Sequence, residues 1–151
     1  VSFTRCVSSD LSRAWDTALI CAEGRGVPVE RDPALREQNM GALEDLTWAQ
    51  AEKLCGGLVG HLLADWFHTT PPAGESPARM LERVGACVDG IAARGEDTLI
   101  AAHNGSLSLV LFHLGLMEER NLLQHGWFFK HGTYSAVRLD GTGAELVCFN
   151  R

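Results

Sequence analysis

Apolar residues recur at intervals of three and four in two segments, and this spacing predicts two amphipathic helices. The first covers residues 11–23, with Asp10 as its N-cap. The second begins at Ser76 and Pro77 and continues to about Arg94. The expected buried stripes are Leu11, Ala14, Trp15, Ala18, Leu19 and Ala22 in the first helix, and Met80, Leu81, Val84, Cys87, Val88 and Ile91 in the second.

Short apolar runs between the helical segments predict strands. The turn Asp140-Gly141-Thr142-Gly143 favours a hairpin near the end of the chain. The alternation of strands and helices indicates an α/β domain with a mainly parallel sheet and an antiparallel element near its end. The predicted strands cover residues 5–8, 27–30, 98–102, 133–139 and 145–150.

The connection between the second and third strands contains further helical signals. Thr47 and Gln50 have the spacing of a capping box, which predicts a helix that ends near Leu54. Residues 58–67 are expected to form another helix, and residues 31–45 a polar loop.

Composition narrows the class of protein. The 151 residues are 46% hydrophobic and 21% charged, which is typical of a single globular domain that spans residues 1–151. The net charge of −6 argues against a broad nucleic-acid surface. The longest apolar run, at residues 107–117, is too short to span a bilayer. Five dispersed cysteines without a C-x-x-C motif indicate reduced thiols and a cytoplasmic location.

The chain is organised around residues 98–108, where a strand of four apolar residues leads to His103. The strand is expected to be buried on both faces. Asn104 and Gly105 tolerate a left-handed turn, and Ser106 can cap a helix at residues 107–114. A histidine between the carboxyl end of a strand and the start of a helix occupies the usual ligand position of an α/β sheet. The helix dipole favours an anion there.

Other candidate residues carry less information by themselves. Arg13 lies in the first turn of its helix, where a bound anion would offset the unfavourable dipole. The alternative for Arg13 is a surface ion pair with Asp10 or Asp16. Glu37 lies in a loop, where a glutamate is usually solvated. The histidines form no H-E-x-x-H or similar spacing, so a metal site is not expected.

Four segments, taken in order, resemble the histidine phosphatase superfamily, also called the phosphoglycerate mutase-like family. The resemblance extends along nearly the whole chain and implies a three-layer α/β/α fold with a mixed, mostly parallel sheet. The segments are Ser8-Ser9-Asp10-Leu11-Ser12-Arg13-Ala14 followed by Thr17-Ala18, Leu35-Arg36-Glu37 followed by Gly41, Glu44 and Leu46-Thr47, Gly74-Glu75-Ser76, and His103-Asn104-Gly105-Ser106.

The resemblance also implies roles for particular residues. Arg13 would hold the phosphoryl group, and His103 would be the second histidine of the phosphate pocket. Glu37 would be the acid and base that serves the leaving alcohol. Asn104 replaces the glycine that usually follows the second histidine, and it is expected beside the phosphate. The family needs no metal ion or other cofactor.

The nucleophile of the family is a histidine in an Arg-His-Gly motif, and no such motif occurs in these residues. The chain starts at Val1 without a methionine, so we expect an upstream segment that supplies the nucleophile and the first phosphate arginine. The family places the corresponding strand in the middle of the sheet, between the strands at residues 98–102 and 133–139. The alternative is that another element occupies this position in the sheet.

The leading hypothesis is therefore a phosphatase that acts on a small phosphorylated substrate through a phosphohistidine. A catalytically inactive member that binds a phosphorylated ligand or a protein is one alternative, and a mutase-type phosphotransferase is another. An upstream Arg-His-Gly would favour the enzyme, and a natural start near Val1 would favour the binding protein. No nucleic-acid or membrane partner is expected, and a homodimer is left open.

Overall fold

The structure, a computed structural model, describes residues 2–123 and 127–151. Strands and helices alternate along most of the chain, as the hydrophobic pattern predicts. The strands are β1 (Arg5–Ser8), β2 (Val29–Arg31), β3 (Thr98–Ala101), β4 (Ala136–Asp140) and β5 (Gly143–Cys148), and the helices are α1 (Ser12–Ala22), α2 (Trp48–Cys55), α3 (Leu58–Ala64), α4 (Pro77–Ala92) and α5 (Asn104–His113).

Three parallel strands form one sheet in the order β2-β1-β3. Ser8 of β1 lies opposite Arg31 of β2 and Ala101 of β3, so all three strands end at the same edge. The predicted antiparallel element is present as the hairpin β4–β5, which forms a two-stranded sheet of its own.

β3 is less buried than its apolar sequence predicts. All four of its residues are half-buried, whereas Cys6, Val7 and Ser8 of β1 are buried. The expectation of a strand buried on both faces is therefore wrong for β3. The physical reason is that, among the described residues, β3 has β1 as its only neighbour in the sheet and forms its outer strand.

α1 packs against the sheet through small residues. Ala14, Ala18 and Ala22 are buried, but Leu19 of the predicted stripe is 45% exposed. Asp10 is not the N-cap: the cap position is Leu11, and no side chain caps the helix. The carboxylate of Asp10 instead accepts two hydrogen bonds from Arg36, so a tertiary ion pair has replaced the local cap.

α4 and α5 form the main hydrophobic core. Ser76 caps α4 as predicted, and its Oγ accepts a hydrogen bond from the Arg79 N–H at 3.3 Å. α5 begins at Asn104 and not at residue 107, because Ser106 is its third residue and accepts from the His103 N–H at 3.0 Å. The buried members of this core are Met80, Val84, Val88, Leu109, Val110, Leu111, Met117 and Leu122.

The segment between β2 and α4 has a second, smaller core. The capping box of Thr47 and Gln50 is present at the start of α2, as predicted. The helix expected over residues 58–67 ends at Ala64. The buried members of this cluster are Leu43, Ala51, Val59 and Leu62. Within residues 2–123 and 127–151, none of the helices combines the length and the apolar character that crossing a bilayer requires.

Two glycines of α4 give a matched test of its packing against α5. A Cβ at Gly85 would lie 2.7 Å from His113 Nδ1, and the ring cannot move freely because its Nε2 lies 2.7 Å from Asp89 Oδ1. We expect Gly85→Ala to lower the free energy of unfolding in urea by about 1–3 kcal/mol.

Gly90 is the control, because nothing lies within 4 Å of an added Cβ there. Gly90→Ala should raise the free energy of unfolding by about 0.5–1 kcal/mol, since alanine restricts the unfolded chain and favours the helix. Equal effects of the two substitutions would show that the His113 ring does not constrain α4.

Candidate active site

His103 lies at the carboxyl end of the parallel sheet, immediately after β3 and at the N-cap of α5. It is 7% exposed. Arg13 Nε donates a hydrogen bond to His103 Nδ1 at 3.1 Å, and His103 Nε2 lies 2.8 Å from Ser9 Oγ. The structure thus brings together Arg13 and His103, which are 90 positions apart in the chain.

These contacts fix the protonation of the imidazole. A guanidinium can only donate, so Nδ1 of His103 must accept from Arg13 and cannot carry a proton. The remaining proton of the neutral ring is on Nε2, which therefore donates to Ser9 Oγ. Burial, followed by the charges of Arg13 and Arg83, lowers the pKa of His103 to about 4. The ligand-free site therefore holds a neutral histidine.

Arg13 is in the first turn of α1, which also begins at the carboxyl edge of the sheet. The surface ion pair that was the alternative does not form: no ion pair joins Arg13 to Asp10 or Asp16, and Asp10 pairs with Arg36. Among the hydrogen bonds of the described residues, the Arg13 side chain uses only Nε. Its two Nη groups therefore remain to donate to two oxygens of an oxyanion such as a phosphoryl group.

Glu37 reaches the same place from the loop after β2. Its Oε2 accepts from the Gly105 N–H at 3.0 Å, and its Oε1 accepts from the Gln38 N–H at 3.1 Å. The carboxylate therefore lies at the amino end of α5, two residues beyond His103. Gly105 does not have the left-handed conformation that its sequence context suggested. A Cβ at this position would displace the Glu37 carboxylate, because Glu37 Oε1 occupies its space.

Asn104 is the first residue of α5, directly beside His103. Its Oδ1 accepts a hydrogen bond from the Phe129 N–H at 2.8 Å. The side-chain oxygen thereby attaches the segment before β4 to the amino end of the helix. A contact between Asn104 and phosphate remains a prediction.

Ser9 is a site residue to which the sequence reasoning gave no role. It is fully buried, and its Oγ accepts from the Leu11 N–H as well as contacting His103. Strand pairing could have revealed it. Two adjacent parallel strands place the residues that follow them side by side, and Ser9 follows β1 as His103 follows shortly after β3.

In residues 2–123 and 127–151, no group of three or more histidine, cysteine, aspartate or glutamate side chains could hold a metal ion. The site itself offers a guanidinium, an imidazole and the start of a ten-residue helix. The Nη groups of Arg13 and the positive end of the helix dipole suit an oxyanion, whereas the neutral imidazole directs its Nδ1 acceptor towards Arg13.

The fold and this site define a class, an α/β protein in which an arginine and a buried histidine meet at the carboxyl edge of the parallel sheet. The chain matches the sequence model of the histidine phosphatase superfamily (branch 1) over residues 1–151, and it belongs to that family. This match confirms the family that the sequence motifs indicated.

Known relatives agree in sequence and in fold. An adenosylcobalamin/alpha-ribazole phosphatase of Salmonella typhimurium is 32% identical, and the match covers 98% of this chain and 73% of that protein. A bifunctional protein of Mycobacterium tuberculosis is 38% identical over 108 residues, 72% of this chain, but the match spans only 27% of its own length. The crystal structure of an alpha-ribazole phosphatase from Shigella flexneri has a TM-score of 0.86 and 26% identity, and the match covers 100% of this chain and 75% of that one. The expected α/β fold is therefore confirmed.

The neutral state of His103 predicts a loss of stability in acid. Between pH 6.5 and about 4 the unfolded chain protonates this histidine while the folded protein does not. The free energy of unfolding should therefore decrease as the pH falls through this range, by roughly 1–3 kcal/mol. Urea unfolding at several pH values measures the change. In His103→Gln, the free energy of unfolding should decrease less over the same pH range, by roughly 1–3 kcal/mol.

The pKa of His103 can be measured directly by NMR titration of its ring protons. Arg13→Met should raise this pKa towards 6.5, because it removes the nearest repelling charge. Arg120→Met is the control, since Arg120 is exposed and paired with Glu118. A wild-type pKa at or above 6.5 would contradict the hydrogen bonding described above.

Proposed function

We propose that the full-length protein is a phosphatase that hydrolyses a small phosphomonoester through a phosphohistidine. The nucleophilic histidine lies outside these 151 residues in this proposal. The observation that carries it is the meeting of Arg13, His103 and Glu37 at the amino end of α5. Phosphoryl transfer requires clustered positive donors and a proton source, and these three side chains supply both.

Arg13 and His103 are the proposed phosphate ligands. The two Nη groups of Arg13 can donate to two oxygens of one phosphoryl group. His103 Nδ1 faces Arg13, so a phosphoryl group that binds to the guanidinium lies next to this nitrogen. The dianion offsets the charge of Arg13 and raises the pKa of His103. Nδ1 then takes up a proton from solvent, the hydrogen bond from Arg13 Nε is released, and the new N–H donates to a phosphoryl oxygen.

The proposed reaction has two displacements at phosphorus. In the first, the nucleophilic nitrogen forms a bond to phosphorus, the bond from phosphorus to the alcohol oxygen breaks, and Glu37, whose carboxyl group carries a proton in the substrate complex of this proposal, gives that proton to the oxygen. In the second, a water oxygen bonds to phosphorus, the phosphorus–nitrogen bond breaks, and Glu37 takes a proton from the water. Arg13 and protonated His103 stabilise the charge on the phosphoryl oxygens in both steps. The proposed reaction uses no metal ion.

The relatives support the proposed substrate class, and the cysteines support the proposed compartment. The similarity to the Salmonella phosphatase covers 98% of this chain and favours a small phosphorylated substrate over a macromolecular one. All five cysteines are free, which suits the reducing cytoplasm that we propose as the location.

Removal of either phosphate ligand should abolish most of the activity. In the full-length protein, we expect Arg13→Ala and His103→Ala each to lower kcat/KM for p-nitrophenyl phosphate by about 10²–10³-fold, because each removes one donor from the charge that develops on the phosphoryl group. Arg120→Ala is the control and should retain the wild-type value.

The same assay separates phosphatase activity from its alternatives. If the wild-type protein hydrolyses no phosphomonoester, the proposed function is wrong. Phosphate that moves to a second hydroxyl group instead of to water would identify a mutase. Phosphate binding without turnover, in a protein whose gene encodes no upstream Arg-His-Gly, would identify a binding protein.

The proposed role of Glu37 predicts a dependence on the leaving group. An alkyl alcohol needs a proton as it departs, whereas 2,4-dinitrophenolate does not. Glu37→Gln should therefore lower kcat for an alkyl phosphate by about 10²–10⁴-fold and affect 2,4-dinitrophenyl phosphate far less. Glu52→Gln, on the exposed side of α2, is the matched control. An equal loss with both esters would exclude proton donation by Glu37.

A further inference from the structure

Arg83, in the second turn of α4, contacts the loop that carries Glu37. From these contacts we infer that Arg83 is a positioning residue, which fixes the place of the Glu37 carboxyl group by binding the backbone of its loop. This inference rests on the acid and base role proposed for Glu37. It assigns a function to a side chain that does not itself reach the substrate.

The guanidinium of Arg83 binds three backbone carbonyls of one short segment. Its Nη1 donates to the Ala34 oxygen at 2.6 Å and to the Arg36 oxygen at 2.9 Å. Its Nη2 donates to the Glu37 oxygen at 3.2 Å. The backbone from Ala34 to Glu37 is therefore held at three carbonyl oxygens by one rigid, planar guanidinium group.

Glu75 fixes the guanidinium in turn. Arg83 Nε donates to Oε1 and Nη2 donates to Oε2 of this carboxylate, both at 2.7 Å. The backbone oxygen of Glu75 accepts from Gln38 Nε2 at 2.8 Å, so Glu75 also holds the residue after Glu37. Both side chains are about four-fifths buried, at 23% exposure for Arg83 and 18% for Glu75.

This geometry separates positioning from phosphate binding. All three guanidinium nitrogens of Arg83 already donate within the protein, so none is left to serve as a phosphate ligand. Arg13, by contrast, uses only Nε. Lysine cannot reproduce the Arg83 contacts, because an ammonium group has three donors and no planar fork.

The consequence for catalysis follows from the short reach of a glutamate. The Glu37 carboxylate accepts a hydrogen bond from the Gly105 N–H at 3.0 Å. The position of this carboxylate depends on where the Glu37 backbone is held. A displacement of about 1 Å can cost a factor of about 10² in a proton-transfer step. Loss of the Arg83 contacts should therefore impair proton donation and leave phosphate binding largely intact.

The test compares two esters in the full-length protein. Arg83→Lys should lower kcat for an alkyl phosphate about tenfold or more, change kcat for 2,4-dinitrophenyl phosphate by less than about threefold, and leave KM for both nearly unchanged. Glu75→Gln should also lower the ratio of kcat for the alkyl phosphate to kcat for 2,4-dinitrophenyl phosphate. Arg79→Lys, an exposed arginine one turn earlier in α4, is the matched control and should leave the ratio as in the wild type.

Each outcome decides the inference. An equal fall with both esters, or no fall in either variant, would overturn it, because a purely structural role does not distinguish leaving groups. If Arg83→Lys does not fold, Glu75→Gln decides alone.

A second measurement does not depend on turnover. The Gly105 amide proton, which Glu37 binds, should exchange with solvent at least about tenfold faster in Arg83→Lys than in the wild type. Unchanged exchange would overturn the inference. If the wild-type protein hydrolyses neither ester, the proposed function fails, and this amide still tests whether Arg83 positions Glu37.

Discussion

The parallel pairing of β1 with β3 is the contact on which the candidate site depends. Ser8 lies opposite Ala101, so the two strands reach the edge of the sheet together. β1 continues into Ser9 and α1, and β3 continues into His103 and α5. Two helices therefore begin side by side, with Arg13 in the first turn of one and His103 at the cap of the other. A shift of one residue in this register would turn the alternate side chains to the opposite face and separate the two groups.

Local signals in the sequence were sufficient for most elements and for part of the site. Helix caps such as Ser76 and apolar spacing act over a few residues, so they can be read without the fold. Tertiary contacts decided the rest. The position of Asp10 favours helix capping, but Asp10 does not cap α1, because Arg36, 26 residues away, binds its carboxylate. Gly105 leaves room for a carboxylate from 68 residues earlier, and its own backbone is not in the left-handed region. Neither partner is visible in a linear pattern.

The electrostatics of the site link the protonation of His103 to folding stability. Without a ligand, the guanidinium of Arg13 faces a buried imidazole whose pKa is lowered to about 4. Keeping this imidazole neutral at a pH where the unfolded chain protonates it costs free energy in the folded protein. In the proposed function, the guanidinium of Arg13 is in place before the phosphoryl group binds, and such preorganised charge is the usual basis of electrostatic catalysis. Burial of His103 thus lowers the stability of the folded protein in acid.

The two outer strands of the parallel sheet differ in how readily each could pair with a further strand. β2 follows Pro28 and carries the charged residues Glu30 and Arg31, and such features oppose the addition of another strand. β3 has the sequence Thr-Leu-Ile-Ala, without charge or proline, and in the part of the chain that the structure describes only β1 pairs with it. Any strand that extends this sheet, from the same polypeptide or from another molecule, will therefore add beside β3, next to the residue that precedes His103 by two positions.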